Sequence, residues 1–293
     1  MRAIVRSRLR LSAAVTTMTV LALATVTVPP SDAHACSCAF DRHWGFLGPA
    51  QGRLPANAAG VPWFRPHVPY VEEGLPANKL EHRFTAEILD GSEYRQLPVS
   101  VRRTDGFFDD YAGVYVVAPK DEQLQPGATY RFSVDQAGEG RQQVIVTVDH
   151  ETLTEEAAFG LDASSVTVEP VTVAMGGFCA GRVEAALVHI EGRLSQDAAR
   201  WREQLLYRTI VDDAIFWRAR SSMCSTDVPG RTESAVGHDR VYATCDPSAI
   251  DFMDIDGALK PGHHTLKMEA YLPGTGIVLE TADKSVNLPC WRS

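Results

Sequence analysis

Leu124-Gln125-Pro126-Gly127-Ala128-Thr129-Tyr130-Arg131-Phe132-Ser133-Val134 decides the fold of this 293-residue chain. Pro126-Gly127 makes a turn, and Tyr130, Phe132 and Val134 then alternate with Arg131 and Ser133, so an extended strand has one apolar and one polar face. The same period of two recurs at 82–88, 97–101, 114–117 and 144–148, between turns such as Asp90-Gly91. Short strands and turns in this order predict an all-β antiparallel sandwich.

The pattern resumes beyond an acidic, Ala-rich stretch, 151–164, which reads as a linker. Strands are expected at 166–168, 171–173 and 183–190, then a hairpin with arms 205–211 and 215–220 joined by Asp212-Asp213-Ala214. On it Tyr207, Thr209, Val211, Ile215 and Trp217 line one face, and Arg208, Arg218 and Arg220 the other. Residues 195–206 fit helical spacing equally well. The opening turn repeats: Leu259-x-Pro261-Gly262 precedes Thr265 to Met268, and in both places a Gly-containing turn and further Val, Ile and Leu strands follow. The repeat predicts two copies of one module. The expected division is 1–35 signal peptide, 36–60 irregular lead-in, 61–150 first sandwich, 151–164 linker and 165–293 second sandwich.

The N-terminal segment reads as a secretory leader. Arg2, Arg6, Arg8 and Arg10 precede an uncharged run from Leu11 to Val28, Pro29-Pro30 breaks any helix, and Ala33-His34-Ala35 offers a small-x-small cleavage site. Cleavage leaves no membrane span in the mature chain, which is expected in the periplasm, at the cell surface or outside the cell. Ala33 stands where a lipid-modified cysteine has a larger aliphatic residue, so ordinary cleavage is expected before Cys36. The leader carries a formal charge of +3, and its removal takes the chain from −9 to −12. Such an acidic surface argues against nucleic acid as a partner. Five lysines against 23 arginines point to a GC-rich bacterial genome.

All six cysteines, Cys36, Cys38, Cys179, Cys224, Cys245 and Cys290, follow the leader, and in an exported chain they imply three disulfides among 15 connectivities. Cys224 and Cys245 bracket a polar stretch, Ser225 to Thr244, and a bridge between them would clamp a long loop. Cys290 would tie down the last strand, with Cys179 as the nearest upstream candidate. Cys36 and Cys38 either bridge each other or reach distant partners. No Cys-x-x-Cys or His-x-x-x-His pair occurs, so zinc is not expected.

The turn and strand motifs resemble bacterial immunoglobulin-like and fibronectin type III-like modules. Their Leu-x-Pro-Gly-x-x-Tyr turn crosses between sheets and packs its tyrosine as a corner, matched here by Leu124, Pro126, Gly127 and Tyr130. Leu54 to Pro62 is similar to the opening strand of bacterial surface immunoglobulin-like domains, and its Leu-Pro-Ala-Asn recurs at 75–78. The second copy has Thr265 at the tyrosine position. The resemblance implies two sandwiches and a non-catalytic role in binding or display at the cell envelope, with a protein or polysaccharide partner and no cofactor.

No Gly-x-Ser-x-Gly, His-Glu-x-x-His or phosphate-loop pattern occurs. Asp251, Asp254 and Asp256 lack calcium-loop spacing, and His263-His264 would point to opposite faces of a strand. Aromatic and Arg side chains dominate binding hot spots, so Tyr207, Trp217, Arg218 and Arg220, with the loop between Cys224 and Cys245, form the expected partner face. The mature N-terminus offers two alternatives. Cleavage after Ala33 exposes His34, which resembles the copper brace of lytic polysaccharide monooxygenases and copper-resistance sandwiches and needs a second histidine such as His82 or His264. Cleavage after Ala35 exposes Cys36-Ser37-Cys38, which resembles the start of the tissue inhibitors of metalloproteinases.

Overall fold

A computed structural model describes residues 45–66, 80–104, 112–136, 140–174, 180–217, 230, 235–245 and 258–290. The chain divides into two compact units, Met1–Ala33 and His34–Ser293, and every described residue belongs to the second. The leader, Cys36, Cys38, Cys179, Cys224, Arg218 and Arg220 lie outside the described residues. Among those described, no helix is long and apolar enough to cross a membrane.

The expected all-β architecture is present, in four sheets compatible with β-sandwich packing. In the first half, β1 (Gly45–Phe46), β3 (Val61–Pro66), β7 (Ala112–Pro119) and β6 (Val99–Arg103) pair in that order. Opposite them run β2 (Gln51–Leu54), β9 (Gly140–Val148), β8 (Thr129–Gln136), β4 (Phe84–Asp90) and β5 (Glu93–Leu97). All these pairs are antiparallel except β2 with β9. Residues of both sheets, Trp63, Phe84, Tyr115, Tyr130 and Phe132 among them, share one buried cluster. The Tyr130 hydroxyl accepts the Gln125 amide at 2.9 Å, so the tyrosine fastens the preceding turn to its own strand.

The strand expected over 97–101 is in fact two. Pro98 has no N–H for a ladder, and its carbonyl accepts the Lys120 amide at 2.8 Å. The chain changes sheets there, ending β5 at Leu97 and beginning β6 at Val99.

In the second half, β10 (Phe159–Ala163) and β11 (Thr167–Ala174) lie end to end along β12 (Ala180–Leu194), with β15 (His238–Ala243) on its other edge. The second sheet runs β14 (Ile215–Trp217), β13 (Leu206–Val211), β16 (Gly262–Tyr271), β17 (Val278–Glu280), and β18 (Lys284–Leu288) pairs beyond β17 on β16. A four-residue helix, α1 (Gln196–Ala199), and a 3-10 turn, Arg202–Gln204, join β12 to β13. The helical reading of 195–206 therefore holds for two short pieces only. Leu187, Ile190, Trp201, Tyr207, Trp217 and Met268 belong to the cluster of this half.

Three sequence expectations are corrected. The lead-in contains β1 and β2, both paired into the first half. The stretch read as a linker carries Leu153, Phe159 and strand β10, all part of the second half, because its few apolar residues are those that reach the core. Within the polar stretch read as a loop lies β15, whose buried Asp239 disguises it. Thr209 Oγ1 donates to Asp239 Oδ2 at 2.5 Å and the Gly230 amide to Oδ1 at 3.1 Å, which satisfies the carboxylate inside.

The disulfide pairing is corrected as well. Cys245 bonds Cys290, with Cα atoms 5.5 Å apart, rather than Cys224. These residues follow the ends of β15 and β18, which belong to different sheets, so the bridge fastens the two sheets of this half at one end. Closing a loop of 45 residues stabilises the fold by about 4 kcal/mol through the unfolded chain. Replacing both cysteines by serine should lower unfolding free energy by about that amount in urea melts under non-reducing conditions.

Candidate functional site

Strand β7 reads Ala-Gly-Val-Tyr-Val-Val-Ala-Pro, and every residue from Val114 to Ala118 is buried. A strand with one wet face would alternate, and this one does not because both its faces are covered. Tyr115 and Val117 point into the first core, whereas Val114 joins Leu47, Phe64, Leu206 and Tyr271 in a separate cluster drawn from both halves. The turn after Leu272 sits on the same face. Gly274 has φ +76°, and a Cβ there would lie 3.0 Å from Ala59 Cβ and 3.1 Å from Val116 Cγ2, so only glycine allows this approach.

The connection between the halves is strapped down by the first Leu-Pro-Ala-Asn. Parallel pairing of β2 with β9 continues past the strands: the Asp149 amide donates to Leu54 O and the Ala56 amide to Glu151 O, each at 2.8 Å. Asn57 then behaves as a further strand residue, its Nδ2 donating to Leu153 O at 2.8 Å and its Oδ1 accepting the Leu153 amide at 3.1 Å. This segment forms the joint between the halves, hydrogen-bonded along its length through backbone and side chain. The recurrence at 75–78 lies outside the described residues.

Asp149 sits at the centre of that joint with its side chain only 1% exposed. Arg53 Nε donates to Oδ1 at 2.8 Å and Trp201 Nε1 to Oδ2 at 2.8 Å, while Arg200 Nε lies 3.4 Å from Oδ2. The Arg200 guanidinium also covers the Trp201 ring, 4.6 Å from its centroid. Burial opposes the charged form, but the hydrogen bonds from Arg53 and Trp201 and the charges of Arg53 and Arg200 outweigh it, holding the carboxyl below the usual aspartate range. One buried anion thus takes donors from β2 and from the segment between α1 and β13.

Beside this joint the halves enclose a groove of about 980 Å³. One wall is the strap itself, at 56–59, a second is Ser100 and Arg102 of β6 with the loop 120–124, and the third is the turn at 274–277. Arg102, Lys120, Asp121 and Glu122 are exposed on its rim, and Ala58, Ala59 and Ala118 lie among its lining.

The residues expected to form a partner face lie elsewhere. Tyr207 is fully buried, with its hydroxyl donating to Arg202 O at 3.0 Å, and Trp217 is 4% exposed, with its indole donating to Arg240 O at 2.6 Å. Both belong to the second core, so in this arrangement they offer no surface to a partner. Arg208, expected on a basic outer face, is engaged by Glu269 at 2.5 Å across β13 and β16. The hairpin itself is present, with Asp212 and Asp213 at φ +52° and +57°.

His82 and His264, the histidines considered for copper, sit in different settings. His82 is exposed in a 3-10 turn. His264 places Nδ1 2.8 Å from Asp212 Oδ2 and Nε2 2.8 Å from Lys260 O, both hydrogen-bond acceptors, so both of its nitrogens are occupied. Asp212 also accepts the Thr265 amide. These bonds and the His264 charge overcome burial and hold its carboxyl below the ordinary range. Among the described residues no group of three His, Cys, Asp or Glu side chains is placed to hold a metal ion. No protein-family model matches the chain, and no curated protein matches it either.

Replacing Asp149 by Asn tests the joint. An aspartate held below its unfolded range contributes stability in full above about pH 4 and loses it as pH falls through its folded value. Asp149→Asn should therefore cost about 2 kcal/mol at neutral pH and abolish that component of acid destabilisation, measured by urea melts across pH.

Proposed function

We propose that this is an exported, non-catalytic binding or display protein of the cell envelope or extracellular space, built from two immunoglobulin-like modules held as one rigid body. In the lettering of that fold, β1-β3-β7-β6 corresponds to A-B-E-D and β2-β9-β8-β4-β5 to A′-G-F-C-C′. In the second module β10 and β11 with β12 and β15 follow A-B-E, and β14-β13-β16 with β17 and β18 follow C′-C-F-G. The repeated Leu-x-Pro-Gly precedes the same strand, F, in both. This correspondence, with the Tyr130 corner, supports the modular reading.

The single observation that carries the functional reading is the strapped joint. A rigid pair of modules presents surfaces from both in fixed register, which suits recognition of a partner, protein or polysaccharide, wider than one module. Export is supported by the disulfide between Cys245 and Cys290, since such bonds persist in oxidising compartments.

Cell fractionation with intact-mass measurement tests this. The protein should be recovered outside the cytosol, shortened at its N-terminus to His34 or Cys36, with no thiol reacting with iodoacetamide before reduction. Recovery of full-length, thiol-reactive protein from the cytosol would overturn it.

A further inference from the structure

We propose that two copies of this chain associate through the free edge of β5, pairing antiparallel about a two-fold axis at Tyr94 and joining their sheets into one. The inference goes beyond the binding or display role proposed above and does not depend on it.

The edge is the first observation. Strand β5 ends its sheet, and among the described residues no strand pairs with its outer side. The turn Gly91-Ser92 joins β4 to β5, so Asp90 and Glu93 beside it exchange main-chain bonds, as do the alternate pairs Ile88 with Arg95 and Ala86 with Leu97. The main-chain N–H and C=O groups of Tyr94 and Gln96 therefore point outward. The Tyr94 ring leaves them open. The Arg131 guanidinium lies 3.9 Å from its centroid, and Arg131 is on β8, beyond β4, so the ring leans back over its own sheet.

The charges are the second. Arginines elsewhere on the described surface find carboxylates: Arg131 with Glu87, Arg193 with Asp162, Arg202 with Glu191. Glu93 and Arg95 are exposed on β5, yet among the described residues neither forms an ion pair or a side-chain hydrogen bond. They flank Tyr94 and project from one face of the sheet. Charges on an edge strand ordinarily keep a second strand away. These two attract one in a single register. With Tyr94 opposite Tyr94 of the second copy, Glu93 falls opposite Arg95 of that copy and Arg95 opposite its Glu93. Both are non-hydrogen-bonded positions, where Cα atoms approach to about 4.5 Å and opposed side chains meet most closely.

The exclusion of neighbouring registers is the third. Centring the axis on Glu93 or on Arg95 opposes like charges there. Centring it on Gln96 sets Tyr94 against Pro98, which has no N–H to offer. The Tyr94 register pairs both charges and closes two main-chain bonds at its centre. The edge is thus self-complementary, as a two-fold interface requires. So short an edge makes a small interface, and the association is weak and concentration-dependent.

The test is sedimentation equilibrium of the purified mature protein at concentrations up to about 1 mM, where the parent should dimerise. Glu93→Arg and Arg95→Glu should each weaken the dimer by about tenfold, because each turns two attractive pairs into repulsive ones. Neither should move the thermal melt, since both side chains are exposed. An equimolar mixture of the two variants should associate as the parent does, and so should the chain carrying both substitutions, because every charge then faces its opposite. Under mild oxidation Tyr94→Cys should crosslink between copies in preference to Arg95→Cys, since the axis sets position 94 against itself and position 95 two residues out of step. A parent monomeric at about 1 mM, a mixture that associates no better than either variant alone, or the absence of that crosslinking preference would overturn the proposal. Each of these results leaves the binding or display role standing, which the fractionation experiment decides separately.

Discussion

The carboxylate of Asp149 is the constraint on which the arrangement of the two halves depends. A charge this deeply buried is tolerated only with its lone pairs occupied, and the partners come from both sides: Arg53 from the first half, Trp201 and Arg200 from the second. Rotating one half against the other would strip the Trp201 and Arg200 contacts from this buried carboxylate and leave Arg53 as its one remaining partner among these three. The backbone makes the same demand, since the amides of Asp149, Ala56 and Leu153 are committed across the strap. Apolar burial of Leu47, Phe64, Val114, Leu206 and Tyr271 supplies the driving force beside it. The polar contacts select one geometry among the many that would bury those residues.

The two halves share a turn and a strand order but secure themselves by different means. In the first, Tyr130 reaches back five residues to the Gln125 amide and closes the corner before β8. The corresponding position on β16 is Thr265, whose amide is instead held by Asp212 from the β13–β14 turn at 2.8 Å. A side chain from a neighbouring hairpin thus takes the place of a local corner. The second half also has the bridge between Cys245 and Cys290, joining its sheets where the first relies on the packing of Trp63, Phe84 and Tyr115.

Most strands were legible because period-two alternation survives where one face is wet: 144–148 and 84–88 fall in strands that alternate buried and partly exposed residues, whereas His82 and Arg83, expected in the same strand, form a 3-10 turn, and Ser133 on the polar side of 130–134 is buried. What escaped did so for identifiable reasons. The strap pairs residues about a hundred positions apart through backbone groups, and backbone pairing leaves no pattern in side-chain type. Strand β15 was hidden by a carboxylate that is polar in sequence and satisfied in structure. The break at Pro98 follows from proline chemistry and could have been read, as could the covering of β7, whose unbroken apolar run excludes a wet face. Disulfide pairing depends on where strand ends meet, which spacing along the chain does not encode. The partner face assigned to Tyr207 and Trp217 rested on residue type alone. Large aromatics serve cores as readily as interfaces, and only burial separates the two uses.

The groove and the joint are not independent features. Ala56 and Asn57 line the groove, and the same residues carry the strap's bonds to Glu151 and Leu153. The opposite wall, Gly274 and Thr275, is held against the first half through Ala59 and Val116. Both walls therefore keep their spacing only while the halves keep theirs, and Asp149 takes donors from both halves. Protonating the carboxylate removes the ionic part of its bonds to Arg53 and Arg200.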